Sequence, residues 1–530
     1  MPRITTNVTQ KYKPNLCKFM TYLDRPEAAY PRTMNFERDR LLQIRPEDVA
    51  KYLNFLAYGT ETPGPNDHPN QMRSSSLGMV KKSISHFMPN QQHWVVDHNV
   101  GNPTKSVAVN IVIKAVKLAE VRRLGRPSNA KRDMKRAEFK KTLRLLEDHR
   151  GLGDFDTASK FPTMMKLQFH IIGRTDDLTN IETADLKSHS QFPDTALQMK
   201  VNWSKNVLDE RDCPDQLILG AMDDDFCCLV ALGCYLESKL GGNVGNKFLF
   251  CEQDHDMEPQ RLNNRYYRIL KAVWRNPDFQ ELLQRTRGNV GTHSLRKFPS
   301  TWCAEHGATT ADIEVRGRWK GTNGTRVVGR SYVSPVQLPT DARLASMLCV
   351  GGPVKYKLKP DSHVSEQFLQ ECVAPAMTGF FREESNHIAE ILALPVLYAA
   401  HVPALAHMFK PAVRARIVNG YAAIRQQHPA DYNPVQKVPL HVFQVENTVH
   451  IEEMEPTGDA AANAGNNPIR LSASQGGANR HDTQSILLSL NRIQQTQAQH
   501  QQQNVVSYIY VFSLLYIVAI YLTECIACCS

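Results

Sequence analysis

The sequence has no disulfide framework: its twelve cysteines are scattered over 530 residues without paired spacing. The first residues, MPRITTNVTQKYKPNLC, lack the apolar core of a secretory signal. These two absences exclude a small disulfide-stapled secreted domain and predict reduced thiols in a cytosolic or nuclear protein. The Asn-x-Ser/Thr triplets at Asn7, Asn202 and Asn323 then carry no glycosylation signal. A strong charge excess is missing too, since 63 Lys and Arg against 53 Asp and Glu leave +10 on the whole chain. That balance permits a polyanionic partner without demanding one, so the placement of charge matters more than its sum. Metal-ligand spacing is also wanting. Cys227, Cys228 and Cys234 lie in the apolar run DDDFCCLVALGCYLES, where buried helical thiols are expected. A zinc site joining them to Cys251 and His255 is the weaker reading.

What is present is enough apolar material, 42% of residues, to bury a core over most of a chain long enough for two to four domains. The expected class is multidomain, an all-α domain followed by a mixed α+β domain, a further helical region and a disordered tail. Residues 20–147 read as the all-α part. Pro46, at a first-turn position ahead of Glu47 and Asp48, opens a helix whose inward face is Val49, Tyr52, Leu53 and Leu56. Leu77, Val80, Ile84 and Phe87 mark a second helix, and Val109, Val112, Ile113 and Val116 a third. Residues 148–345 read as mixed, with ALQMKVNW and SKNVLD as two short strands about a turn. Residues 346–450 read as helical, broken by Pro395, Pro403 and Pro411, with no role assigned. Residues 451–504 are polar and Gln-rich, and are expected to be disordered. Residues 505–523, VVSYIYVFSLLYIVAIYLT, hold no charge over 19 positions, a length that fits either a membrane span or an error in the final exon.

The densest charge lies at 122–144, where ten basic side chains include Arg122, Arg123, Arg126, Lys131, Arg132, Lys135 and Arg136. Such a run is either a solvated linker with one amphipathic helix or a strap across a DNA backbone, where Lys and Arg release condensed counterions. Further on, GTHSLRKFPSTWCAEHG holds His293 and Arg296 three apart, hence on one side of a helix. Arg174 in FHIIGRTDDLTN and Lys205 in a polar turn (Lys200 is its rival) precede this pair. Trp319 in VRGRWKG and Tyr332 in GRSYVSP follow it. Singly, each has an ordinary reading: an ion pair of Arg174 with Asp176 or Asp177, a surface lysine, a core tryptophan, a half-buried tyrosine.

The order Arg, Lys, His-x-x-Arg, Trp, Tyr resembles the catalytic domain of the tyrosine recombinases, or phage integrase family. The wording of WSKNVLDERD and HSLRKFPSTWCAEHGATTADIEVRGRWKG looks most like eukaryotic protist, Crypton-type members, and the likeness covers roughly residues 35–345. Asp177 stands where the family commonly has Glu, and a Lys-Gly-Thr-Asn-Gly-Thr insertion lengthens the step from Trp319 to Tyr332. The resemblance implies a DNA recombinase or integrase of a mobile element, cutting and rejoining double-stranded DNA through a 3′-phosphotyrosyl bond. No metal and no cofactor is called for. Tyr332 would be the nucleophile, and Arg174 and Arg296 would neutralise the phosphate. Lys205 would act as general acid, His293 would assist proton transfer, and Trp319 would donate to a phosphate oxygen. It also implies a core-binding domain that clamps DNA, with the 122–144 linker crossing the backbone, a homo-tetramer on DNA, and nuclear action. A membrane anchor at 505–523 fits that role poorly. Two other readings share the residues, a type IB topoisomerase-like enzyme and a domesticated, non-catalytic DNA-binding protein.

Overall fold

The computed structural model describes residues 2–149, 154–204, 207, 213–239, 247–250, 259–286, 288–319, 338–359, 365–380, 386–425, 432–445 and 448–454. The expectations for Lys205, Cys251, His255, Tyr332, residues 455–504 and the 505–523 segment lie outside these residues, while residues 451–453, expected to be disordered, belong to a strand. Among the described residues no helix is long and apolar enough to cross a membrane.

The N-terminal part is helical. It comprises α1 (Pro2–Asp24), α2 (Arg38–Leu42), α3 (Pro46–Tyr58), α4 (Ser74–Phe87) and α5 (Val107–Val121). Helix α3 begins where proline costs no hydrogen bond, and the Asp48 carboxylate accepts from the Arg45 backbone N–H at 2.9 Å. It ends at Gly59, left-handed at φ 81°. Its inward face, Val49, Tyr52 and Leu53, is buried with Leu77, Val80 and Ile84 of α4 and Val109 and Val116 of α5. The 3.6-residue period therefore located this core correctly.

The basic linker is tied at both ends. Arg126 donates from its backbone to Pro69 O at 3.0 Å, and Arg73 donates to Arg126 O at 2.6 Å. At the far end Arg132 donates from its backbone to Asn289 O at 3.1 Å, and Met134 is fully buried in a second core.

That second core is built on α6 (Arg136–Glu147), α7 (Phe155–His170), α8 (Thr175–Thr179) and a three-stranded antiparallel sheet of β1 (Leu186–His189), β2 (Phe192–Lys200) and β3 (Asp215–Ile218). Leu197 pairs with Ile218 and Lys200 with Asp215. The expected first strand is thus β2, but its partner is β3 rather than SKNVLD, which lies largely outside the described residues. A short β4 (Gly220–Ala221) leads to α9 (Cys228–Lys239), α10 (Pro259–Val273), α11 (Pro277–Gln284), α12 (Thr292–Glu305), α13 (Thr310–Arg316) and α14 (Leu338–Leu348). Cys227, Cys228 and Cys234 are free thiols buried in this core.

The region after residue 345 corrects the helical expectation. Helices α15 (Asn386–His401) and α16 (Pro411–Ile424) are present, but so are β5 (Pro353–Leu358), β6 (Val435–Val445) and β7 (Thr448–Glu453). These strands extend β4 into an antiparallel sheet ordered β4-β5-β6-β7. Val354 and Tyr356 are buried while Lys355 and Lys357 are not, the period of two that a strand demands. The prolines act differently from one another. Pro395 sits inside α15, Pro403 opens a 3₁₀ turn, and Pro411 opens α16. Helix α15 lies close against α9. A Cβ at Gly233 would stand 2.7 Å from Val396 and 3.1 Å from the Leu392 carbonyl, so only glycine admits this approach. Residues 338–454 therefore close the same core as α7 and α9.

Candidate phosphodiester-binding site

Two helix C-termini and one helix N-terminus build the site. Helix α7 ends at His170, and Arg174 follows as the residue before α8. The Arg174 backbone N–H donates to Asp177 Oδ2 at 2.9 Å, which fixes the start of α8. Its half-buried guanidinium donates to Ser204 Oγ at 3.3 Å. Ser204 is itself buried on the segment leaving β2, directly before Lys205.

Helix α12 supplies His293 and Arg296. His293, in the first turn, is exposed; Arg296, one turn deeper, is only 4% exposed. The Arg296 guanidinium donates to the Gly317 carbonyl and stacks over the Trp319 indole at 4.6 Å from the ring centroid. Gly317 is required by that packing, because a Cβ there would lie 2.8 Å from the indole. Among the described residues, Nε and Nη1 of Arg296 have no hydrogen-bond partner. Burial pushes this guanidinium down to about 9, and the neighbouring charges of Arg174 and Arg318 push the same way while Asp177 opposes them.

Two further arginines, which the sequence reading passed over, lie behind this pair. Arg318 is 5% exposed and donates to Asp177 Oδ2 at 3.1 Å and to Arg316 O at 3.0 Å. Arg316 is 1% exposed and donates to His170 O at 3.0 Å and Leu217 O at 2.8 Å, and it pairs with the Asp341 carboxylate of α14. The cluster sets Arg174, Arg296, Arg316 and Arg318 against Asp177 and Asp341, four cations against two anions. A buried guanidinium with unused donors, beside a second that is half open to solvent, favours an oxyanion that can accept several N–H bonds at once.

Arg174, Arg296 and Trp319 are thus brought together, with His293 at the outer turn of the same helix as Arg296. Lys200 ends β2, half-buried, close enough to Asp185 and Cys213 to act on both charges. Of the other candidate tyrosines, Tyr267 is 49% exposed on α10, whereas Tyr356 and Tyr266 are sealed away. Tyr356 is 4% exposed with its hydroxyl 3.0 Å from Cys227 Sγ, and Tyr266 is fully buried; burial raises both hydroxyls well above their ordinary range.

The linker residues fall into two groups. Arg122, Arg123, Arg126, Lys131, Lys135 and Arg136 are exposed. Arg132 is engaged inside the protein by the buried Glu138 carboxylate, Thr286 Oγ1 and Gly288 O. Arg136 pairs with Asp223 at 2.7 Å and Lys135 with Asp133 at 2.7 Å. A second basic surface was not anticipated. Helix α10 has no acidic residue and buries Leu262, Tyr266, Leu270 and Val273. Its outer side exposes Arg261, Arg268 and Lys271, with Arg275 just beyond its end. The signal was there in the steps of seven, three and four residues between these cations. Asn263 of the same helix donates to Asp176 of α8, which sets the stripe on an element adjoining the Arg174 turn.

No family model matches the chain, and no curated protein does. Solved structures similar to it include the XerA recombinase, at 15% identity and TM-score 0.26 over 68% of this chain and 96% of that one. A lambda integrase tetramer bound to a Holliday junction matches at 12% and 0.31 over 62% and 80%. An FLP recombinase–Holliday junction complex matches at 13% and 0.33 over 74% and 99%.

Proposed function

We propose that this chain is a site-specific DNA recombinase that cuts and rejoins duplex DNA through a 3′-phosphotyrosyl intermediate. The observation that carries the reading is the buried Arg296 guanidinium, two of whose nitrogens have no partner among the described residues, stacked on Trp319 and flanked by Arg174. A phosphodiester under in-line attack gathers negative charge on its non-bridging oxygens, and two preorganised forks neutralise it without reorganisation. Tyr332 is the nucleophile. In sequence it lies six residues before α14. Arg316, three residues before Trp319, pairs with Asp341 of α14, so both ends of the Tyr332 segment are tied beside the arginines. Lys205 protonates the leaving 5′-oxygen. It follows directly on Ser204, whose hydroxyl accepts from Arg174. His293 moves the phenol proton, and the indole N–H of Trp319 donates to a phosphate oxygen. The phosphotyrosyl bond conserves the energy of the broken linkage, so the freed 5′-hydroxyl religates without ATP. The exposed part of the 122–136 linker and the α10 stripe hold the duplex backbone, and four copies on two duplexes complete an exchange.

The test is covalent trapping. The protein is incubated with nicked duplexes of random sequence and run on a denaturing gel. A protein–DNA adduct forms with the natural chain and with Tyr356→Phe, and is absent with Tyr332→Phe. An adduct that survives Tyr332→Phe overturns the assignment. Plasmid relaxation in the absence of a second duplex would favour the topoisomerase-like reading instead.

A further inference from the structure

The two helix ends that face the site close in the same way. At the end of α7, Ile172 N–H donates to Phe169 O at 3.4 Å and Gly173 N–H to Gln168 O at 3.0 Å. At the end of α13, Arg318 N–H donates to Val315 O at 3.0 Å and Trp319 N–H to Glu314 O at 2.9 Å. This paired closure puts one residue in the left-handed region, and glycine is the usual occupant. Here the occupants are Ile172, at φ 48°, and Arg318, at φ 54°. Both are strained choices. In the second turn glycine stands one position earlier, at Gly317, where the Trp319 indole needs the room.

Each strained residue stands one or two positions before the part of the site it delivers. Trp319 follows Arg318, and Arg174 comes two residues after Ile172. The Arg318 guanidinium ties the two turns together. It donates to Ile171 O at 3.4 Å in the first turn and to Arg316 O at 3.0 Å in its own. It also donates to Asp177 Oδ2 at 3.1 Å, the oxygen that accepts from the Arg174 backbone N–H. Both partners of this ion pair are buried.

We propose that Arg318 is a positioning residue: through Ile171 and Asp177 it locks the Arg174 turn to the Trp319 turn and so sets the spacing of the two guanidiniums that receive the phosphate. A purely structural role explains the arrangement poorly. Glycine would close the α13 turn without strain, and well-packed apolar side chains replace buried ion pairs at little cost in stability. What neither replacement supplies is a rigid link between two turns that carry reacting groups. The proposal rests on the recombinase reading only for the identity of what is bound.

The test variant is Arg318→Gly combined with Asp177→Asn. Glycine accepts the left-handed backbone and asparagine keeps an acceptor for the Arg174 N–H, but the lost side chain leaves a cavity and a bare Ile171 carbonyl, so the melting temperature is expected to fall by several degrees. Three readouts follow: sulfate affinity, the ¹⁹F resonance of 5-fluorotryptophan at position 319 (assigned with Trp319→Phe), and the rate of adduct formation. The expected result is a displaced and broadened resonance, sulfate binding about tenfold weaker, and adduct formation up to ~100-fold slower at unchanged duplex affinity. Arg318→Lys keeps the charge without the fork and should recover these losses only in part. A folded double variant with unaltered resonance and sulfate affinity overturns the proposal. If the double variant does not fold, an Arg318→Lys chain equal to the natural one in all three readouts overturns it as well. If the natural chain forms no adduct while sulfate affinity and resonance respond as stated, the recombinase reading fails and the clamp stands.

Discussion

Replacing Arg296 with methionine should make the protein more stable while removing its ability to hold a phosphate. Burial and two neighbouring cations push the Arg296 guanidinium down to about 9, more than three pH units below a free one. At ~1.4 kcal/mol per pH unit, keeping this charge costs the fold up to ~5 kcal/mol. The variant gives up the stacking on Trp319, ~0.5–2 kcal/mol, and leaves the Gly317 carbonyl bare, ~1–3 kcal/mol. A thioether of similar reach refills the space. The difference favours Arg296→Met by up to ~3.5 kcal/mol, a rise of up to several degrees in melting temperature for a core of this size. The assay is thermal unfolding at low ionic strength and along a phosphate series. Phosphate at about ten times its Kd should stabilise the natural chain by ~1.4 kcal/mol and leave the variant unmoved, so the two curves converge. A variant that melts well below the natural chain without phosphate, or a phosphate shift shared by both, refutes the reasoning.

Sulfate, which does not titrate in this range, should bind the natural chain with constant affinity up to about pH 8 and then more weakly. Arg296 is depressed to about 9 when free and raised by a bound anion, so above that pH binding must take up a proton and affinity falls toward tenfold per pH unit; calorimetry from pH 7 to 10.5 measures this, and Arg296→Met should abolish the slope. Neutralising Arg268, Lys271 and Arg275 to glutamine should weaken binding to every duplex alike and flatten the plot of log K against log salt by nearly one unit for each phosphate that is no longer neutralised; an unchanged slope would remove α10 from the interface. His170 is fully buried and donates to Phe226 O, and burial pushes it down to about 4. The unfolded chain takes a proton below ~6.5 that the folded chain refuses, so urea midpoints should drop between pH 6.5 and 4 by the equivalent of up to ~3 kcal/mol. His170→Gln should lessen the drop.

The helix faces were legible because a 3.6-residue period is local information: Val49, Tyr52 and Leu53 announce a buried stripe with no knowledge of what covers it. Arg174, Arg296 and Trp319 were legible through their order along the chain. The strands after residue 350 were not. PVKYKL is six residues long, and its partners lie far away, Gly220 on one side and Val435 to Pro439 on the other. A short alternating segment beside long apolar helices gives no sign of such distant pairing. Arg318 was hidden for the same reason. In VRGRWKG it reads as one more surface cation, and the carboxylate that buries it is 141 positions upstream.

The placement of charge accounts for the division of labour within the second core. A surplus of two guanidiniums over carboxylates, with two left-handed side chains beside it, works against the fold. The helices behind must therefore supply the stability that the site withholds. They do so with α7, whose side chains from Phe161 to His170 are all buried, and with α9, pressed against α15 at an approach only Gly233 allows. Residues 386–401 thus act on the arginine cluster from a distance. By sealing the far side of α9 they let α7 end rigidly, and a rigid end to α7 is what holds Arg174 opposite Arg296. A chain lacking α15 would keep every arginine of the cluster and lose the frame that holds two mutually repelling guanidiniums side by side.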